Sequence, residues 1–127
     1  MNEYVLKNDD FLVSQTDSKG IILFANADFC KIAGYSLEEL VGKPHNIVRH
    51  RDMPKAAFKD LWSTVKKGEV WSSYVKNATK DSGFYWVYAT VFPRYDAKTD
   101  ETTYISCRRK PSIKEIEEAT KLYKTLH

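Results

Sequence analysis

Residues 16–50 read TDSKGIILFANADFCKIAGYSLEELVGKPHNIVRH, and the turn and cap residues in this stretch decide the class of fold. Asp17-Ser18-Lys19-Gly20 is a turn signal, with Gly20 able to take a positive φ. It separates the run FLVSQTD at 11–17 from the apolar run IILFA at 21–25, and the two pair most simply as a hairpin. Asn26 stands where a helix is capped. Phe29, Ile32 and Ala33 follow at helical spacing, and Gly34 closes that helix. Ser36-Leu37-Glu38-Glu39 fits a capping box that opens a second short helix ending at Gly42.

Downstream, residues 54–67 carry Phe58, Leu61, Trp62 and Val65 at i, i+3, i+4 and i+7, the stripe of an amphipathic helix. Pro54 suits its start, and Gly68 suits its end. Three strands follow at 70–77, 84–92 and 102–109. In the first, Trp71, Ser73, Val75 and Asn77 share one face. Asp81-Ser82-Gly83 and residues 96–100 supply the turns. After Pro111, Ser112-Ile113-Lys114-Glu115 is a further capping box. It opens a terminal helix whose narrow stripe is Ile113, Ile116, Thr120, Tyr123 and Leu126. Strands split by a run of helices imply the α+β class. The sheet is then five-stranded and antiparallel, with short helices and one longer helix on one face, plus a C-terminal helix. The expected division is an N-terminal segment at 1–10, a domain at 11–110 and an amphipathic helix at 111–127.

The chain has 127 residues, one ordinary domain, and 43% are hydrophobic, which supplies a core and argues against disorder. Twenty Lys and Arg against 17 Asp and Glu give a net charge of +3. The basic residues are scattered, and the short clusters at 49–51, 66–67 and 108–110 make no nucleic-acid-binding face. Cys30 and Cys107 have no CxxC spacing, the opening MNEYVLKNDD is polar, and no apolar run approaches the ~20 residues of a membrane span. The expected setting is cytoplasmic, with free thiols.

Residues 45–54, HNIVRHRDMP, spend two histidines, two arginines and an aspartate on one short stretch. Arg49 and His50 are either solvated charges, paired with Asp52 or Glu38, or donors aimed at an anionic ligand. Asp52 precedes the long helix and reads either as its cap or as a ligand contact. Trp62 is core or a flat stacking surface; Asn77 is a turn cap or an amide reading a polar ligand edge. His45 satisfies a local backbone group more simply than it binds a ligand, and Cys30 reads as a small buried hydrophobe.

The element order and the pattern of strand, Asn, Phe, Gly-Tyr, Glu-Leu and Gly in residues 16–50 resemble a PAS domain. PHNIVRHRDMPKAAFKDLW at 44–62, KKGEVWSSYVKN at 66–77 and FYWV at 84–87 narrow the resemblance to flavin-binding PAS domains of the bacterial aerotaxis-receptor type. It runs from about Phe11 to the terminal helix. The resemblance implies non-covalent FAD, redox or energy sensing, and signalling to a chemotaxis transducer. It points to Asn26, Arg49, His50, Asp52, Trp62, Trp71 and Asn77 as pocket residues. Arg51 stands where such domains usually have Pro, and residues 78–82 replace a more basic stretch. No membrane anchor is visible, so membrane contact is expected only through a partner. A homodimer through the domain or the terminal helix is a further possibility.

Four rivals have sequence criteria. A heme-binding gas-sensing PAS domain would have to use His45 or His50 as axial ligand, because the long helix has no histidine. Blue-light adduct chemistry needs a cysteine beside the flavin, and HNIVRHRDMP has none. No catalytic constellation or strong metal spacing is present, so the chain is not expected to be an enzyme or to hold a metal. A ligand-free interaction module would fill its pocket with side chains.

Overall fold

The turn at 17–20 forms as its residues favour: Asp17 Oδ1 accepts hydrogen bonds from the Lys19 amide at 2.8 Å and the Ile21 amide at 3.0 Å, and Gly20 has φ +81°. The structure is a computed structural model describing residues 2–126. On either side of the turn lie β1 (Leu12–Thr16) and β2 (Ile22–Ala25). Then come α1 (Ala27–Ala33), α2 (Leu37–Leu40), a single 3-10 turn (His45–Val48) and α3 (Lys55–Lys66). Three long strands, β3 (Trp71–Ala78), β4 (Phe84–Asp96) and β5 (Glu101–Arg109), precede α4 (Ile113–Tyr123). The five strands form one antiparallel sheet in the order β2-β1-β5-β4-β3.

Local chemistry fixes the short helices. Asn26 caps α1 by accepting from the Phe29 amide, Gly34 ends it at φ +84°, and Ser36 with Glu39 makes both bonds of a capping box on α2. Ser112 and Glu115 do the same for α4. Two details differ from the sequence reading. The cap position of α3 is Pro54, which makes no side-chain cap bond, so Asp52 is not the cap. β4 runs on to Asp96, because its hairpin with β5 continues as far as the Asp96–Glu101 pair.

One face of the sheet carries the core. Leu12, Ile22, Val75, Tyr85, Val87, Ala89 and Val91 pack there with Phe29, Ile32, Leu40 and Val65 from α1, α2 and α3. Leu6, 2% exposed, reaches the same core from the segment ahead of β1. The other face is covered at β3 and β4 by α4. Tyr123 stacks on Trp86 with ring planes 13° apart, and Tyr74 hydrogen-bonds Glu115. The buried side of α4 is therefore Ala119 with half-buried Ile116, Thr120 and Tyr123, the middle of the expected stripe without its two ends. Ile113 is 76% exposed, and Leu126 lies past the helix.

Both edges of the sheet are partly covered. Along β2, the Ile22 amide donates to Lys43 O and the Gly42 amide to Ile22 O, and Ile21 bridges Pro44. Along β3, Arg49 bridges Asn77, and the Tyr123 hydroxyl donates to Tyr74 O. Among the described residues no helix is long and apolar enough to cross a membrane.

Candidate ligand-binding site

Strand alternation puts Trp71, Val75 and Asn77 of β3 on the helix-covered face, and Tyr104, Ser106 and Arg108 of β5 beside them. Where α3 crosses this surface it leaves a cavity of ≈ 160 Å³ that opens to solvent at a wider mouth. Its walls are apolar and aromatic: Leu61 and Trp62 from α3, Trp71 and Val75 from β3, Val91 from β4, Tyr104 from β5. Lys19, Asn46 and Arg49 stand at the exposed mouth. Buried Asn77, Ser106 and Arg108, with half-buried His45, supply its polar end.

The aromatic walls are held from outside. The Trp71 indole N–H donates to Asp60 Oδ2 at 2.9 Å, which ties β3 to α3. Trp62 meets Tyr104 edge to face at 5.4 Å. Arg49 lays its guanidinium 3.7 Å from the centre of the Phe58 ring, leaving its N–H edges free of a carboxylate among the described ion pairs. Stacking of this kind fixes an arginine without consuming its donors.

The polar end has a different character. Asn77 satisfies its neighbours when its amide oxygen accepts from Arg108 Nη1 at 2.7 Å and its nitrogen donates to Val48 O at 3.2 Å. Arg108 Nε donates to Ser106 Oγ at 2.9 Å. Burial presses the arginine's pKa below its ordinary value. Tyr85, opposite Asn77 across the β3–β4 ladder, buries a hydroxyl that has no hydrogen-bond partner, and burial pushes its pKa up to about 12. His45 Nε2 lies 3.0 Å from Ser14 Oγ. Burial first, then the charges of Arg108 and Arg49, lower its pKa to about 3, so the imidazole is neutral.

Of the seven residues expected at a pocket, Arg49, Trp62, Trp71 and Asn77 line this cavity. Asn26, His50 and Asp52 do not. The Asn26 side chain joins β1 to α1, accepting from the Val13 and Phe29 amides and donating to Phe11 O. His50 is buried against Phe84, and its Nδ1 accepts the Asp52 amide at 3.0 Å. Nδ1 is therefore unprotonated, and the 3.6 Å approach of the Asp52 carboxylate is not an ion pair. Desolvation and Lys76 lower the His50 pKa, in agreement. Asp52 takes Lys76 Nζ at 2.8 Å, and that contact holds its pKa down.

Arg108 and His45 are two polar residues of the cavity that sequence reasoning did not assign to it. Arg108 reads as part of an exposed basic cluster. The signal that finds it is the i, i+2 alternation Tyr104, Ser106, Arg108, which sets the arginine on the face of two residues suited to burial.

The family described as the PAS fold matches residues 22–107. The chain belongs to the PAS family. This PAS domain is 46% identical over 122 residues to the aerotaxis receptor of Escherichia coli (strain K12), covering 96% of this chain and 24% of that protein. It is 26% identical over 101 residues to the nitrogen fixation regulatory protein of Klebsiella oxytoca, covering 80% of this chain and 20% of that protein. The PAS domain thus spans about a quarter or less of the length of these curated relatives. Solved structures share its fold, two of them as follows. One is described as "Flavin Analogue Sheds Light on Light-Oxygen-Voltage Domain Mechanism", with TM-score 0.73, 20% identity, and coverage of 90% of this chain and 85% of that one. The other is "The dark structure of the blue-light photoreceptor Aureochrome1 LOV", with TM-score 0.69, 23% identity, and coverage of 91% and 81%.

Proposed function

We propose that this PAS domain binds FAD non-covalently and works in the cytoplasm as a redox or energy sensor, passing its state to a chemotaxis transducer. The observation that carries the reading is the cavity itself. It has flat apolar walls at Trp62, Val75 and Tyr104, a buried polar end without an internal carboxylate partner for Arg108, and a stacked arginine at the mouth. An isoalloxazine ring is apolar on its faces and polar along one edge, and the pyrophosphate of FAD is anionic, so each part meets a suited surface. The similarity to a protein named as an aerotaxis receptor supports the sensing role.

In this reading Arg49 holds the pyrophosphate, Trp62, Trp71 and the polar end at Arg108 hold the ring, and Asn77 supports that end from behind. Asn26, His50 and Asp52 act on the site through the scaffold. FAD supplies reversible electron uptake when bound. The chain's own part is to desolvate the ring and orient it. The output passes across β3 and β4 to α4, which packs on their reverse side.

The test is one preparation of the purified chain. It should be yellow, bleach with dithionite and release intact FAD on heat denaturation. Release of FMN alone, a Soret band, or a colourless protein that takes up no added FAD would overturn the assignment.

A further inference from the structure

Arg108 is 8% exposed, a guanidinium on the central strand next to β1 and β4. Buried arginines are paired with carboxylates or phosphates as a rule, because a charge withdrawn from water needs an opposite charge or a full set of acceptors. Here the protein offers neither. Its partners are two neutral oxygens, Ser106 Oγ at 2.9 Å and the Asn77 amide oxygen at 2.7 Å. No ion pair among the described residues involves Arg108. The other polar groups nearby cannot neutralise it: His45 is an uncharged ring, and Tyr85 is a phenol with an unpartnered hydroxyl.

A guanidinium carries five N–H donors in a planar fork. Two are used, and Arg108 lines the cavity. The missing acceptors must therefore come from whatever fills that space. Asn77 is also committed internally, its oxygen to Arg108 and its nitrogen to Val48 O, so it braces the arginine instead of reading the ligand.

We propose that Arg108 is the residue that holds the electron-rich carbonyl edge of the bound flavin's pyrimidine ring and stabilises negative charge there. The proposal rests on the flavin reading above. It makes Arg108 a binding residue distinct from Arg49. Arg49 sits exposed at the mouth and serves the phosphates, whereas Arg108 sits in the dry end and answers to the charge on the ring. It also gives the ligand's electronic state a direct mechanical outlet, because Arg108 shares Asn77 with the backbone of the 3-10 turn at Val48.

The experiment uses the 127-residue chain with two probes, FAD and 8-mercapto-FAD. The thiolate of the analogue changes to a long-wavelength quinoid form when positive charge lies beside the pyrimidine edge. The wild-type protein should hold 8-mercapto-FAD in the quinoid form. Arg108→Gln, which keeps hydrogen-bonding capacity without charge, should return it to the ordinary thiolate spectrum and weaken FAD at least tenfold. Arg108→Lys should retain the quinoid spectrum. Apo melting curves identify any variant that does not fold, and the wild-type spectrum decides even then. If wild-type protein binds FAD but leaves 8-mercapto-FAD in its thiolate form, the role of Arg108 is overturned while the flavin reading stands. If it binds neither flavin, the flavin reading itself fails and takes the role with it.

Discussion

Gly20 lies against the indole of Trp62. A Cβ built on the glycine would stand 3.1 Å from Trp62 Cζ2, and the residue has φ +81°. The turn joining β1 and β2 thus reaches across to the far wall of the cavity, and its backbone sets how far the Trp62 ring extends.

Replacing Gly20 by Ala should cost stability through the left-handed backbone, about 1–2 kcal/mol, and should also displace Trp62. Gly42→Ala is the control. Its φ is +87°, but a Cβ there meets nothing within 4 Å. Both variants should melt earlier by similar amounts, and only Gly20→Ala should weaken FAD. Titration of FAD into the two apo-proteins separates the backbone effect from the contact.

Arg49→Ala should reduce FAD affinity by roughly tenfold to a hundredfold, the loss of a charge-assisted hydrogen bond of about 1.5–3 kcal/mol. Its apo stability should fall by less than ~1 kcal/mol, since only an exposed stack on Phe58 is lost. Asp52→Ala removes the Lys76 contact of a side chain that is 61% exposed. Solvent screening limits that loss to ~1 kcal/mol or less, with FAD affinity near wild type. A full release of FAD by Asp52→Ala would show that the carboxylate contacts the cofactor.

Acid should weaken the fold through its histidines before its carboxylates. His45 has its pKa lowered from 6.5 to about 3, and His50 is lowered too, each with burial as the main cause. Below pH 6.5 the unfolded chain binds protons that the native rings refuse. Stability therefore rises with pH across this window and is lost as pH falls through it. Urea denaturation between pH 5 and 7 should show this slope, with a shallower one in His45→Gln and in His50→Gln. A wild-type slope in His45→Gln would mean that the native ring accepts the proton.

Removing residues 112–127 should leave FAD bound, because α4 packs on the reverse of the sheet from the cavity. The truncation should lower the melting temperature and shift Trp86 emission to the red, since Tyr123 no longer covers that indole. Tyr123→Ala alone should cost about 2 kcal/mol for the area and stacking it removes. Loss of FAD on truncation would place α4 within the binding unit.

The legible parts of the sequence were those in which a residue acts on its near neighbours. Asn26, Gly34, Ser36 with Glu39, and Ser112 with Glu115 announce helix ends because the helix-end groups they satisfy lie within four residues. The alternation Trp71, Val75, Asn77 likewise gives the cavity face of β3 without help from the rest of the chain. What stayed hidden depends on distant segments. Arg108 is buried because β5 is inserted between β1 and β4, opposite Leu12 and Ala89. Asp52 lies two residues ahead of the α3 cap position at Pro54, and its carboxylate is taken by Lys76, 24 residues away. His50 turns inward because Phe84 offers a ring edge that nothing in HNIVRHRDMP foretells.

The partly covered margins of the sheet limit how this domain can associate. An unpaired outer strand invites another chain to add itself by main-chain bonding, the route to strand-swapped dimers and fibrils. Residues 42–45 cover the start of β2 at Ile21 and Ile22, and the Arg49 bridge and the Tyr123 hydroxyl block β3 at two points. A second molecule therefore finds only short, interrupted lengths of backbone to copy. It must recognise side chains, on the part of the sheet that α4 leaves open or on α4 itself, and its choice of partner is written in residues that mutation can change one at a time.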